Sequence, residues 1–195
     1  MKVGLYFGSF NPVHNGHLII AQHILNETDL AQVWFIISPQ NPFKKQKHLL
    51  NEYDRLLLVN LAIQKTAALK AVDIEFRLPK PSYTTITLAY LEEKYPQHQF
   101  TIIMGSDSLQ NIDKWKNAET IMNNYPIHVY TRPGFPAVQP NVKQLTVLQA
   151  PLLEISATHI RELIQQSKSI RYLVPDIVCD EIESAGYYKL KNPAE

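Results

Sequence analysis

Cysteine is nearly absent: Cys179 is the only one in 195 residues, so neither an internal disulfide nor a thiolate metal cluster can form. A surplus of one charge is missing as well. Lys and Arg number 19 against 18 Asp and Glu, a net charge of +1, too little for a general nucleic-acid binder. No apolar run approaches a membrane span; Val33-Trp34-Phe35-Ile36-Ile37 is typical of the longest, which predicts a protein with no membrane partner. Two nucleotide-binding signatures are missing too. Neither Gly-x-Gly-x-x-Gly nor a Walker loop ending in Gly-Lys-Ser/Thr occurs, so ordinary hydride-transfer and P-loop readings fall. From Lys2 the chain runs into Val3-Gly4-Leu5-Tyr6-Phe7 and then a polar turn. That is no secretory h-region, and a cytoplasmic protein is expected.

Apolar residues make up 45% of the chain, enough to bury a core, which excludes intrinsic disorder. Residues 3–7, 33–37, 100–104, 127–131 and 145–148 read as strands. Helical spacing marks residues 16–26, 53–68, 85–95 and 118–125. Val72, Ile74, Phe76 and Leu78 alternate with Asp73, Glu75 and Arg77, predicting a strand with one wet face near a sheet edge. Alternating buried strands and helices predict an α/β fold: a doubly wound, Rossmann-like parallel sheet with helices on both faces. A small C-terminal helical piece follows from about residue 156, with helices near 158–166 and from Pro175 to before Gly186. One domain over residues 1–195 is the expected organisation.

The most informative stretch is Gly8-Ser9-Phe10-Asn11-Pro12-Val13-His14-Asn15-Gly16-His17, between the first strand and the first helix, where open α/β sheets bind ligands. Gly8 and Gly16 let the backbone approach a ligand, amides at the helix start attract anions, and His14 and His17 can aim ring N–H donors at phosphate. The bland alternative is a turn that merely connects strand to helix. Near the other end, Ile155-Ser156-Ala157-Thr158-His159-Ile160-Arg161 offers Ser156 or Thr158 as a helix cap, and Arg161 one turn in as a planar fork suited to phosphate. A plain N-cap with a solvated arginine is the alternative there. His23, His48, His98, His128 and His159 show no metal-ligand spacing, and Cys179 reads as a small core residue.

The first of these motifs resembles the nucleotidyltransferase superfamily that shares His-x-Gly-His with class I aminoacyl-tRNA synthetases. The second is similar to that superfamily's Ile-Ser-x-Thr-x-x-Arg signature. Pro81-Ser82-Tyr83-Thr84, Gly105-Ser106-Asp107-Ser108 with Trp115, and Arg132-Pro133-Gly134 closely resemble nicotinate mononucleotide adenylyltransferases of the bacterial type. The match covers nearly the whole chain.

That resemblance implies adenylyl transfer from ATP to nicotinate mononucleotide, giving nicotinate adenine dinucleotide and pyrophosphate, with Mg²⁺ carried by the ATP phosphates and no protein metal site. It implies His14, His17 and Arg161 as catalytic residues. Gly8, Ser9, Phe10, Gly16, Gly105, Asp107, Ile155, Ser156 and Thr158 would line the ATP side, with Asp107 on the ribose. Lys44, Tyr83, Thr84, Thr85, Trp115, Lys116 and Arg132 would line the acceptor side, Trp115 stacking on the nicotinate ring. Two departures stand out: Phe43 replaces a common histidine, and Lys116 a common tyrosine. Other acceptors, namely nicotinamide mononucleotide or phosphopantetheine, a cytidylyl transfer, or a catalytically silent nucleotide-binding module remain alternatives. The sequence leaves the oligomeric state open, a homo-oligomer included.

Overall fold

The computed structural model describes residues 1–40, 49–138, 141–151 and 154–190. Lys44 and Phe43, both singled out above, lie outside them. Six strands, all paired in parallel, form one sheet in the order β3-β2-β1-β4-β5-β6. They are β1 (Lys2–Gly8), β2 (Gln32–Ile37), β3 (Leu69–Val72), β4 (Gln99–Gly105), β5 (Ile127–Tyr130) and β6 (Leu145–Leu148). The helices are α1 (Asn15–Glu27), α2 (Glu52–Ile63), α3 (Thr84–Lys94), α4 (Ser106–Leu109), α5 (Ala118–Asn124), α6 (Ala157–Gln165) and α7 (Asp176–Ala185). The chain moves outward from β1 to β3, then returns to the middle at β4 and moves outward on the other side. The strand order therefore reverses between β1 and β4, which opens a crevice beyond the carboxyl ends of those strands.

The two-residue period of the strands sorts their side chains into two cores. On one face Tyr6, Val33, Phe35, Ile37, Ile103 and Tyr130 meet Ala21 and Ile24 of α1, Leu58 and Val59 of α2, Ile160 of α6 and Cys179 of α7. On the other, Leu5, Trp34, Ile36, Ile102, Met104 and Val129 meet Leu88 and Leu91 of α3 and Ile121 and Met122 of α5. Because both faces are covered, the inner strands read as continuous apolar runs. Helix ends follow local chemistry. Asn51 caps α2 by accepting from the Tyr53 amide at 2.9 Å, and α7 stops at Gly186, whose φ of 67° is left-handed.

Two expectations need correction. The helix expected over residues 53–68 ends at Ile63; turns closed by Thr66 N–H on the Ile63 carbonyl and Leu69 N–H on the Thr66 carbonyl lead into β3. The edge strand expected from Val72 to Leu78 lies earlier in the chain, at Leu69–Val72. It stops at Val72, and Ile74–Arg77 coils into a 3-10 turn, with the Phe76 amide on the Asp73 carbonyl at 2.9 Å. Glu75, assigned to a wet face by alternation, is instead 2% exposed. Its carboxylate accepts from the Thr87 hydroxyl of α3 at 2.8 Å, and that bond rewards the coil over an extended strand.

Candidate active site

The loop from Gly8 to His14 crosses the mouth of the crevice, and its last residue starts α1. His14 is the N-cap and His17 the third helical residue. The His14 amide donates to His17 Nδ1 at 3.2 Å, so the neutral His17 ring carries its proton on Nε2. The two rings stack with centroids 3.6 Å apart. Burial, then the charge of Arg132, pushes His14 down to about 4, so at neutral pH it is an uncharged imidazole beside the helix start.

Phe10 turns under this loop with a left-handed φ of 44°. Its ring is buried among Tyr6, Phe35 and His17. Gly8 is required by that ring: a Cβ at Gly8 would lie 2.8 Å from Phe10 Cζ. Phe10 can therefore meet a ligand only through its backbone. From below, Arg55 of α2 holds the loop. Its side chain is fully buried and donates to the carbonyls of Ser9 at 2.6 Å, Ser38 at 3.0 Å and Leu50 at 2.9 Å.

Helix α6 brings the second motif to the same place. Ser156 caps it, accepting from the His159 amide at 3.2 Å. Arg161 then reaches back to the loop, donating from Nη1 to the Asn11 carbonyl at 2.7 Å and from Nη2 to Thr158 Oγ1 at 3.2 Å. Ile155 lies beside Gly16, its Cβ 3.7 Å from where a glycine Cβ would sit.

Alongside lies a cavity of about 220 Å³, lined by Gly8 and Ser9 of the loop, Gly105 and Asp107 beyond β4, and Tyr83, Thr84, Trp115 and Lys116. The ammonium of Lys116 sits 4.5 Å from the Tyr83 ring centroid. Thr85, in the first turn of α3, is next to this lining rather than in it. Asp107 stands in the first turn of α4 rather than at its cap, and its Oδ1 is 3.3 Å from Arg132 Nε. Among the described residues no group of three or more His, Cys, Asp or Glu is arranged to hold a metal ion, and no helix is long and apolar enough to cross a membrane.

Residues 5–163 match the cytidylyltransferase-like family. A Cytophaga hutchinsonii protein named "Probable nicotinate-nucleotide adenylyltransferase" is 52% identical over 192 residues, 96% of this chain and 98% of its own length. The chain belongs to the nicotinate-nucleotide adenylyltransferases. A Flavobacterium psychrophilum relative of the same name is 47% identical over 97% of this chain and all of its own. The fold is shared more widely. A Plasmodium falciparum nicotinic acid mononucleotide adenylyltransferase complexed with NaAD superposes with a TM-score of 0.82 at 19% identity, covering 96% of this chain and 97% of that one.

The two motifs, separated by more than a hundred residues, meet at one loop. Four residues at the site escaped the sequence reading: Tyr6, Arg55, Glu75 and Tyr130. Arg55 had a signal, a charge on the apolar face of Leu56, Val59 and Ile63. The tyrosines had none, because a phenol inside an apolar strand reads as packing.

Proposed function

We propose that the protein transfers the adenylyl group of ATP to nicotinate mononucleotide. A phosphate oxygen of the mononucleotide attacks the α-phosphorus in line, the bond from that phosphorus to the bridging oxygen breaks, and pyrophosphate leaves with the electron pair. The observation that supports this reading best is the convergence of His14, His17 and Arg161 on one loop, beside a cavity lined by Tyr83, Trp115 and Lys116.

The attacking phosphate is already ionised at neutral pH, so a general base is unnecessary and the task is alignment plus charge neutralisation. Amides at the start of α1 and the Nε2–H of His17 face the anion as neutral donors. Arg161 brings a full charge whose present partners are neutral oxygens, the Asn11 carbonyl and the Thr158 hydroxyl. Both can be exchanged for phosphate oxygens, which bind guanidinium more strongly. Trp115 offers an aromatic face to the pyridine ring, and Asp107 a carboxylate to ribose hydroxyls.

Mg²⁺ bound to the triphosphate would spread charge away from the α-phosphorus, and it needs few protein ligands because it keeps waters and phosphate oxygens. Incubation of the protein with ATP, Mg²⁺ and nicotinate mononucleotide should yield equimolar pyrophosphate and nicotinate adenine dinucleotide. Product from CTP in place of ATP would contradict the reading.

A further inference from the structure

Two buried phenols lie side by side in the lining of the cavity. Tyr6 of β1 and Tyr130 of β5 face the same side of the sheet, flank β4, and are 3% and 5% exposed. Their hydroxyls are 3.3 Å apart. The Tyr130 hydroxyl also accepts from Arg132 Nη2 at 3.2 Å, and the guanidinium carbon lies 5.4 Å from the Tyr130 ring centroid. Arg132 Nε in turn pairs with Asp107 at 3.3 Å. The order Tyr6, Tyr130, Arg132, Asp107 thus runs from the apolar core to the cavity lip.

A buried hydroxyl is costly unless paired, and phenylalanine would fill the same two spaces without that cost. Packing alone therefore does not account for the phenols. Arg132 is half exposed, on a turn just past β5, and such a side chain loses considerable rotamer freedom when it binds an anion. Held at Nη2 by a rigid phenol and at Nε by a carboxylate, it has little of that freedom left. Gly105 keeps the space open: a Cβ there would stand 2.4 Å from Asp107 Oδ1 and 3.0 Å from Arg132 Nε.

We propose that Tyr130, backed by Tyr6, is a positioning residue that fixes the guanidinium of Arg132 to receive the phosphate of the acceptor mononucleotide. This rests on the acceptor reading given above. Two electrostatic facts accompany it. Burial, then the neighbouring Tyr130, raises the Tyr6 phenol well above its ordinary range, so Tyr6 keeps its hydroxyl proton for the contact with Tyr130. The Arg132 charge is also felt at His14, whose protonated form it disfavours.

The test is steady-state kinetics on Tyr130→Phe, Tyr6→Phe, Arg132→Ala and the Tyr130→Phe/Arg132→Ala double variant. Tyr130→Phe should raise KM for nicotinate mononucleotide about tenfold, the effect of one charge-assisted contact, with kcat and the KM for ATP within about twofold. Tyr6→Phe should raise the same KM by about threefold. In the Arg132→Ala background, Tyr130→Phe should add nothing. An unchanged KM in Tyr130→Phe or in Arg132→Ala, or a Tyr130→Phe effect that persists without Arg132, would overturn the proposal. Wild-type protein inactive with this acceptor would instead overturn the functional reading. The anchoring is then decided by NMR of the Arg132 Nη2 protons: slowed exchange in the wild type that is lost in Tyr130→Phe supports it, and equal exchange in both contradicts it.

Discussion

Arg161 Nη1 donates to the carbonyl of Asn11 at 2.7 Å, a contact that closes 150 residues of chain. It fixes α6 against the loop between β1 and α1, so the positive fork stands at that loop before any ligand arrives. Lysine keeps the charge but has no planar fork to hold the loop and an anion together. Arg161→Lys should lower kcat by about 10²-fold, on the scale of losing one preorganised donor. Pyrophosphate release under saturating substrates measures this, and near-normal turnover would remove the fork from the mechanism.

His17 carries its proton on Nε2 because Nδ1 accepts from the His14 amide. Alanine at this position removes a donor with little change in core volume, since the ring is only partly buried. His17→Ala should lose on the order of 10²–10³ in kcat while keeping the wild-type circular dichroism spectrum. A variant that turns over normally would exclude His17 from catalysis.

His14 gives a pH signature. Its pKa is held at about 4 by burial and by Arg132, below the value of about 6.5 for an exposed imidazole. Between those two values the unfolded chain binds more protons than the folded one, so stability falls as pH drops through that window. At pH 5 the loss from this group is about 2 kcal/mol. His128, also lowered by burial, acts in the same direction. Urea midpoints at pH 7.5 and pH 5 should differ clearly in the wild type and by much less in His14→Gln. Equal pH dependence in the two proteins would be contrary to a buried neutral His14.

Arg55 is fully buried and serves three backbone carbonyls, those of Ser9, Ser38 and Leu50. Methionine would fill much of the volume and leave those carbonyls without their donors. Arg55→Met should cost about 3 kcal/mol or more, read as a lower urea midpoint. A loss below about 1 kcal/mol would mean that the loop does not depend on this side chain.

Much of this was legible in the sequence because it depends on local signals. Apolar runs such as residues 33–37 and 100–104 are buried on both faces and cannot be mistaken for wet strands. Turn residues such as Gly8 and Gly105 mark where the chain leaves the sheet. The two motifs around His14 and Arg161 were visible for the same reason. What remained hidden depends on contacts across the sheet. Glu75 alternates with apolar neighbours like a surface residue, and its buried partners, Thr87 of α3 first among them, come from elsewhere in the chain. Tyr6 and Tyr130 sit 124 residues apart, and nothing in either strand announces the other. Residues 106–109 form a helix too short for a 3.6-residue period to register.

The central claim is the identity of the acceptor. Pyrophosphate release with ATP and Mg²⁺, measured for nicotinate mononucleotide and nicotinamide mononucleotide at equal concentration, tests it most directly. Under the acceptor reading, an amide in place of the nicotinate carboxylate would leave that group's donors unpaired, so kcat/KM should favour nicotinate by a factor on the order of 10² or more. Equal rates, or a preference for nicotinamide mononucleotide, would contradict it.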